Sequence, residues 1–135
     1  MSLIKTINIE PLGDERGSLI ALEGNKNIPF DIKRVYSIFG TTQGISRGFH
    51  AHKNLMQVAI CVTGSCRFVL DDGLKQEEIV LNNSTTGLLI ERLVWREIHD
   101  LTADCVLMLL ASDYYDEQDY IRDYKEFERQ VRQPI

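Results

Sequence analysis

The segment Arg47-Gly48-Phe49-His50-Ala51-His52-Lys53 sets two histidines two residues apart between cations. Side chains on an extended strand alternate between faces, so His50 and His52 point the same way and present two imidazoles to one cavity. Such a pair suits a metal ion, or proton transfer beside an anionic ligand held by the neighbouring cations. The surrounding residues favour the second task. The frame is Gly44-x5-His50-x-His52-x4-Gln57-x6-Gly64, with a neutral amide where a third ligand would be useful. A transition-metal or zinc site takes three or four converging protein ligands. His99, the remaining histidine, lies one residue out of step with the inward positions of its segment, so on a strand it faces the other way. The site is therefore expected to hold no metal and to need no cofactor.

These histidines require a rigid β scaffold. Short runs rich in Val, Ile, Leu and aromatics recur along the chain: Ser18–Leu22, Arg34–Phe39, Met56–Thr63, Cys66–Leu70, Glu77–Leu81, Thr86–Ile90, Leu93–His99 and Cys105–Ala111. Turn residues separate them, with Gly64-Ser65 and Asp71-Asp72-Gly73 reading as hairpin loops. The pattern predicts an all-β antiparallel sandwich or barrel. From Asp116 to Val131, apolar residues recur at helical spacing through Tyr120, Ile121, Tyr124, Phe127 and Val131. This predicts a C-terminal amphipathic helix over about 116–131, capped by Asp113 or Asp116, that closes over the sheet. The acidic run 113–119 reads as the start of that helix.

The chain has 135 residues, enough for one domain with a substantial core. Its net charge of −5 argues against nucleic-acid or anionic-membrane surfaces as partners. There is no long apolar run or signal-peptide pattern, so the expected location is cytoplasmic. Cys61, Cys66 and Cys105 read as free, buried thiols of a reducing compartment. A two-residue turn at Gly64-Ser65 would place Cys66 opposite Thr63 and Cys61 opposite Phe68, making Cys61 and Cys66 diagonal neighbours on one face.

The glycine–His-x-His–glycine frame resembles the first motif of the cupins, with Gln57 where metal-binding cupins carry glutamate. The second cupin motif would bring a third metal histidine; Gly87–Asp100 keeps the opening glycine but has Leu93, Trp95 and Ile98 at the later positions. A closer resemblance spans about Ile7 to Phe127. It rests on Asp14-Glu15-Arg16-Gly17-Ser18-Leu19, Asn25-Lys26-Asn27-Ile28-Pro29-Phe30, Lys33-Arg34-Val35-Tyr36, the histidine run, Gly64-Ser65-Cys66-Arg67, Leu70-Asp71-Asp72-Gly73, Val94-Trp95-x-Glu97-x-His99-Asp100 and Leu110–Glu117. Together these are similar to the dTDP-4-keto-6-deoxyglucose 3,4-ketoisomerases, the WxcM-like sugar-nucleotide cupins.

That resemblance implies a small cupin jelly roll, a homodimer exchanging N-terminal strands, and metal-free isomerisation of a dTDP-linked 4-keto-6-deoxy sugar. The product would feed an aminotransferase on the way to 3-amino-3,6-dideoxyhexoses. It implies His50 as the base at C3, with His52 orienting the sugar or shuttling a proton. Arg16, Arg47 and Arg96 become candidates for the diphosphate and the developing enediolate, because a planar guanidinium donates two bonds at once. Lys53 would add a point charge, and Tyr36 or Tyr115 a stacking surface for thymine. Arg34 and Arg67 read as solvated or salt-bridged strand residues, and Trp95 as a filler of the barrel or of a dimer interface. Three rivals stand beside this reading. They are a cupin 3,5-epimerase on the same substrate, which would want a tyrosine acid facing the histidine; a metal-dependent cupin oxygenase; and a non-catalytic sugar-nucleotide binder.

Overall fold

Period-two alternation sorts the side chains of this chain between a barrel interior and two covered outer faces. The computed structural model describes residues 2–132. Its strands are β1 (Lys5–Asn8), β2 (Leu12–Asp14), β3 (Gly17–Leu19), β4 (Arg34–Ile38), β5 (Arg47–His52), β6 (Gln57–Thr63), β7 (Cys66–Asp71), β8 (Gln76–Leu81), β9 (Thr86–Ile90), β10 (Trp95–His99), β11 (Val106–Ala111) and β12 (Tyr120–Ile121). One helix, α1 (Tyr124–Arg132), follows. The strands form two antiparallel five-stranded sheets, ordered β1-β9-β6-β11-β4 and β12-β5-β10-β7-β8, with β2-β3 as a separate hairpin. This is the expected all-β cupin jelly roll with a C-terminal helix.

The interior is fed by alternate residues of both sheets. Ala59, Cys61, Leu107 and Leu109 come from one, and Cys66, Phe68, Leu70 and Ile98 from the other. The outward residues of β6, Val58 and Ile60, are buried as well, because Ile9, Ile28 and Phe30 cover them. That explains why β6 reads as a continuous apolar run instead of an alternating one. The outer face of the second sheet is covered by α1. Phe127, fully buried, packs with Ala51, Trp95 and Ile121, a burial of a Phe side chain that stabilises by roughly 1.5–3 kcal/mol. Trp95 therefore fills neither the barrel nor an exposed interface; it lies under the helix, edge-on to Tyr124 with ring centroids 5.2 Å apart.

Two expectations are overturned. The helix does not start at 116. Residues Glu117–Asp119 form a 3-10 turn capped by Asp116, and Tyr120–Ile121 add to the edge of β5 through Tyr120↔His52 and Ile121↔Ala51. Ile121 thereby buries the same apolar surface that a helical turn would have buried. The α-helix begins after Asp123, whose carbonyl and carboxylate accept from the backbone N–H groups of Phe127 and Lys125.

The second correction concerns Gly64-Ser65. β6 and β7 lie in different sheets, so this turn crosses between them and is no hairpin; β7 pairs with β8 and β10 instead. Gly64 has φ 75°, and a Cβ there would lie 2.7 Å from the Cys105 Cα. Backbone freedom and close approach both demand glycine at this corner.

Candidate active site

His50 and His52 occupy the inner face of β5, as their spacing requires. Arg96 on β10 lies directly across from His50. The pairing is irregular here: between Arg96 and Glu97 the register shifts, so Phe49 is an extra residue in β5. Gly48 and Phe49 both have positive φ, 92° and 59°. For a phenylalanine that conformation costs about 1–3 kcal/mol. This bulge sets the aim of His50, a common use of bulges beside active sites.

The cleft over these residues is about 440 Å³. Tyr36, Arg47, His50, Gln57, Arg96, Tyr120 and Arg122 form its polar wall, and Phe68, Ile98 and Leu109 its apolar floor. A second cavity of about 420 Å³, lined by Leu3, Lys5, Leu70 and Leu74 among others, holds no histidine. Size alone does not choose between them; the chemistry does.

Arg96 is the most unusual group in the cleft. It is 2% exposed. Its Nη1 donates to the Gln57 Oε1 at 2.5 Å and its Nη2 to the Val94 carbonyl at 3.0 Å, while its Nε is buried with no partner. No carboxylate among the described residues hydrogen-bonds it. Burial pulls its pKa down to about 10, and Tyr36, Tyr120 and Asp119 offset this in part. A buried cation without a carboxylate is costly, and it leaves the guanidinium able to meet negative charge brought by a ligand. Gln57 passes the interaction on, its Nε2 donating to the Tyr36 hydroxyl at 2.7 Å.

Both imidazoles are held neutral. Burial pushes His50 down to about 4 and His52 to about 2, with the positive charge of Arg96 the next cause for each. His52 is 1% exposed, and its Nδ1 lies 3.1 Å from the Asp119 Oδ2. With the carboxylate accepting, Nδ1 carries the proton and Nε2, which is buried without a partner, keeps the lone pair. The His50 Nδ1 is also buried and unpartnered. The ring of Tyr120 lies against both, with centroids 5.0 Å from His50 and 4.3 Å from His52. Arg122 stacks on Tyr120 at 4.1 Å and is itself fixed by a two-point ion pair with Glu117.

Of the sequence-predicted residues, the fold brings His50, His52, Arg47, Arg96 and Tyr36 together. Arg16 is not among them: it is 85% exposed at the tip of the β2-β3 hairpin and paired with Asp14. Lys53 is exposed, and its backbone N–H donates to the Asp119 carbonyl. His99 faces away as expected, bonded to Ser46 and Glu97. Arg67 is salt-bridged to Asp100 and Glu78. Arg34 is half-buried and makes no ion pair among the described residues; it stacks on Tyr36 at 4.9 Å with its Nε buried.

Sequence reasoning missed Asp119, Tyr120 and Arg122, because the helix expected over about 116–131 absorbed all three. The signal that could have found them is Asp123, a second capping residue placed directly before Tyr124. The cleft's donor set also fits a metal poorly. Two histidines share it with an amide already engaged by a guanidinium, and the cluster of three or more His, Cys, Asp or Glu ligands seen among the described residues consists of the three cysteines.

Comparison with known proteins agrees with this geometry. The chain matches the family described as FdtA: WxcM-like, C-terminal, over residues 2–132. It is 56% identical over 127 residues to a TDP-4-oxo-6-deoxy-alpha-D-glucose-3,4-oxoisomerase of Aneurinibacillus thermoaerophilus, covering 94% of this chain and 91% of that one. It superposes on a 3,4-ketoisomerase from Helicobacter canadensis with a TM-score of 0.94 at 48% identity, over 96% of this chain and 98% of the other. For QdtA, a sugar 3,4-ketoisomerase from Thermoanaerobacterium thermosaccharolyticum crystallised with TDP, the TM-score is 0.93 at 45% identity, over 96% and 94%. With both its sequence and its fold aligned almost end to end, the chain belongs to the FdtA family of WxcM-like proteins.

Proposed function

We propose that this protein is a TDP-4-keto-6-deoxy-D-glucose 3,4-ketoisomerase, moving the sugar ketone from C4 to C3. The observation that carries the reading is the pair of neutral imidazoles, His52 buried and His50 half-buried, opposite a buried guanidinium that no carboxylate among the described residues hydrogen-bonds. The proton at C3 is acidic because it lies alpha to the C4 carbonyl. A neutral His50 takes it, and the electrons of the C3–H bond move into an enediolate whose charge sits on the C4 oxygen. Arg96 and the hydroxyl of Tyr36, joined through Gln57, supply donors for that charge, in a site where burial strengthens each interaction. The hydroxyl proton at C3 passes to the C4 oxygen by way of His52, whose tautomer Asp119 fixes. Protonation of carbon C4 then leaves a C3 ketone and a C4 hydroxyl, with no change in overall oxidation state.

Arg47 and Arg122 at the mouth of the cleft suit the diphosphate, and Tyr36 or Tyr115 the thymine. We infer a homodimer for the roles of Arg16 and the β2-β3 hairpin. Leu12 and Leu19 on that hairpin are 56% and 57% exposed within one chain. Exchange of the hairpin between two copies would cover them and bring Arg16 to the partner's cleft. Lys53 would then act as a charge at the rim. A cytoplasmic location fits a nucleotide-sugar substrate, and no helix among the described residues is long and apolar enough to cross a membrane.

A 3,5-epimerase remains a distinct reading for one reason: Tyr120 and Tyr36 stand near His50, where an epimerase would want its acid. Proton NMR of TDP-4-keto-6-deoxyglucose incubated with the protein in D2O separates the two. A 3-keto sugar carrying solvent deuterium or a transferred proton at C4 is expected. Exchange at C3 and C5 without ketone migration would make it an epimerase, and an unchanged substrate would leave a binding protein.

A further inference from the structure

At the end of the barrel away from the histidines, Cys61 of β6, Cys66 of β7 and Cys105, just before β11, converge from three separate segments. Their sulfurs all lie within 4.8 Å of one another, and those of Cys61 and Cys105 are 3.9 Å apart. All three residues are at most 1% exposed, and all are free thiols. We propose that this trio is a binding site for a trivalent thiophile of the arsenite class, and the assignment is independent of the activity proposed above.

Geometry and charge select the ligand. A central atom about 2.3 Å from each of three sulfurs, the usual scale of a thiolate bond, spans S···S separations of about 3.5–4 Å. The Cys61–Cys105 distance already falls there, and small side-chain rotations close the rest. Among the described residues the site offers three sulfurs and no fourth His, Cys, Asp or Glu ligand, so it suits a three-coordinate centre better than tetrahedral zinc. Its surroundings are apolar: Phe68, Leu101 and Leu107 belong to the same core cluster. The three sulfurs are sealed within that apolar cluster, so a net negative product is disfavoured there. Three thiolates around a monovalent ion carry −2, around a divalent ion −1, and around a trivalent one zero.

The reaction balances without an oxidant. Arsenous acid, As(OH)3, exchanges its three hydroxyls for three sulfurs; each S–H proton leaves with a hydroxide as water, and arsenic stays trivalent. Entry is through the surface corner directly above the thiols. Val62 and Thr63 on one side and Ala103 and Asp104 on the other are exposed, while Gly64 closes against Cys105. A local opening of that corner uncovers the sulfurs without dismantling the barrel.

The test is native mass spectrometry of the reduced, full-length protein with one equivalent of sodium arsenite, paired with arsenic K-edge absorption on the same sample. Expected are one arsenic per chain with loss of three protons, and three sulfur scatterers around it. Removing one tethered ligand, as in Cys66→Ala, should weaken binding about a hundredfold or more; an unchanged melting transition and retained ketoisomerase turnover would show that this variant is folded. Two measurements on the unsubstituted protein decide independently of any variant. No native adduct, while the urea-unfolded chain binds arsenite, would overturn the site. So would coordination by fewer than three sulfurs.

Discussion

Strand β6 carries Gln57 at one end and, four residues or about 13 Å further along the same inward face, Cys61 at the other. Gln57 ties a buried guanidinium to a tyrosine hydroxyl beneath an open cleft. Cys61 sits among two other thiols under a closed corner, its Sγ near the carbonyls of Thr63 and Gly64. Between them lies an apolar layer of Ala59, Phe68, Ile98 and Leu109. Both ends bury polar atoms, yet their balance differs. The cleft end keeps orphaned nitrogens on His50, His52 and Arg96. At the thiol end the groups are weakly polar, and burial raises the pKa of Cys61 and Cys66. An end that retains unsatisfied donors and lone pairs spends stability to be ready for a ligand; an end that suppresses charge contributes to the core.

Four measurements would break or sharpen that contrast. The largest effect is expected from His50→Asn, which should lower ketoisomerase turnover by about 10²–10⁴ while leaving TDP binding, read by calorimetry, within a few-fold. A parallel loss of binding would make His50 a ligand-holding residue. Arg96→Gln comes next. Removing a donor aimed at developing charge should cost about 10²–10³ in kcat, yet the melting temperature should hold or rise, because an uncompensated buried cation is lost. If both activity and stability collapse, Arg96 is structural.

The third measurement is a pH series. With His50 neutral down to about 4, the acid limb of kcat/KM should fall near that value and not near 6.5, and Arg96→Gln should move it upward. The same depressed pKa links stability to pH. The unfolded chain takes up this proton below about 6.5 and the folded chain only near 4, so stability is full above pH 6.5 and declines as pH falls towards 4. An acid limb at 6.5 would mean that the imidazole is solvated or paired. The smallest effect belongs to the thiol end. Gly64→Ala places a Cβ against Cys105 at positive φ, and should destabilise by about 1–3 kcal/mol in urea unfolding with kcat unchanged. A drop in kcat would show that the apolar middle layer transmits strain between the two ends.

Much of the architecture was legible because β periodicity is a local property. The eight strands expected from apolar runs are all present, with ends displaced by at most three residues. The same holds for the inward pair His50 and His52 and the outward turn of His99. Short strands escaped: β1, β2 and β12 have no apolar run long enough to announce them, and β12 hides inside a spacing that suits a helix equally well. Tyr120 and Ile121 could bury their apolar surface in either conformation. The free edge of β5 decided between them, and that edge is not visible in local sequence.

The sequence by itself determined the all-β scaffold, two imidazoles on one strand face and the mismatch with a three-histidine metal site, because these follow from residue type, alternation and spacing; the cupin form and the family came from the resemblance of its motifs. Only the tertiary structure decided that Arg96 is sealed without a carboxylate, that Asp119, Tyr120 and Arg122 complete the cleft, and that Gly64-Ser65 crosses between sheets to gather three thiols. Each of those depends on which distant strands become neighbours, and that is settled by global packing of the core.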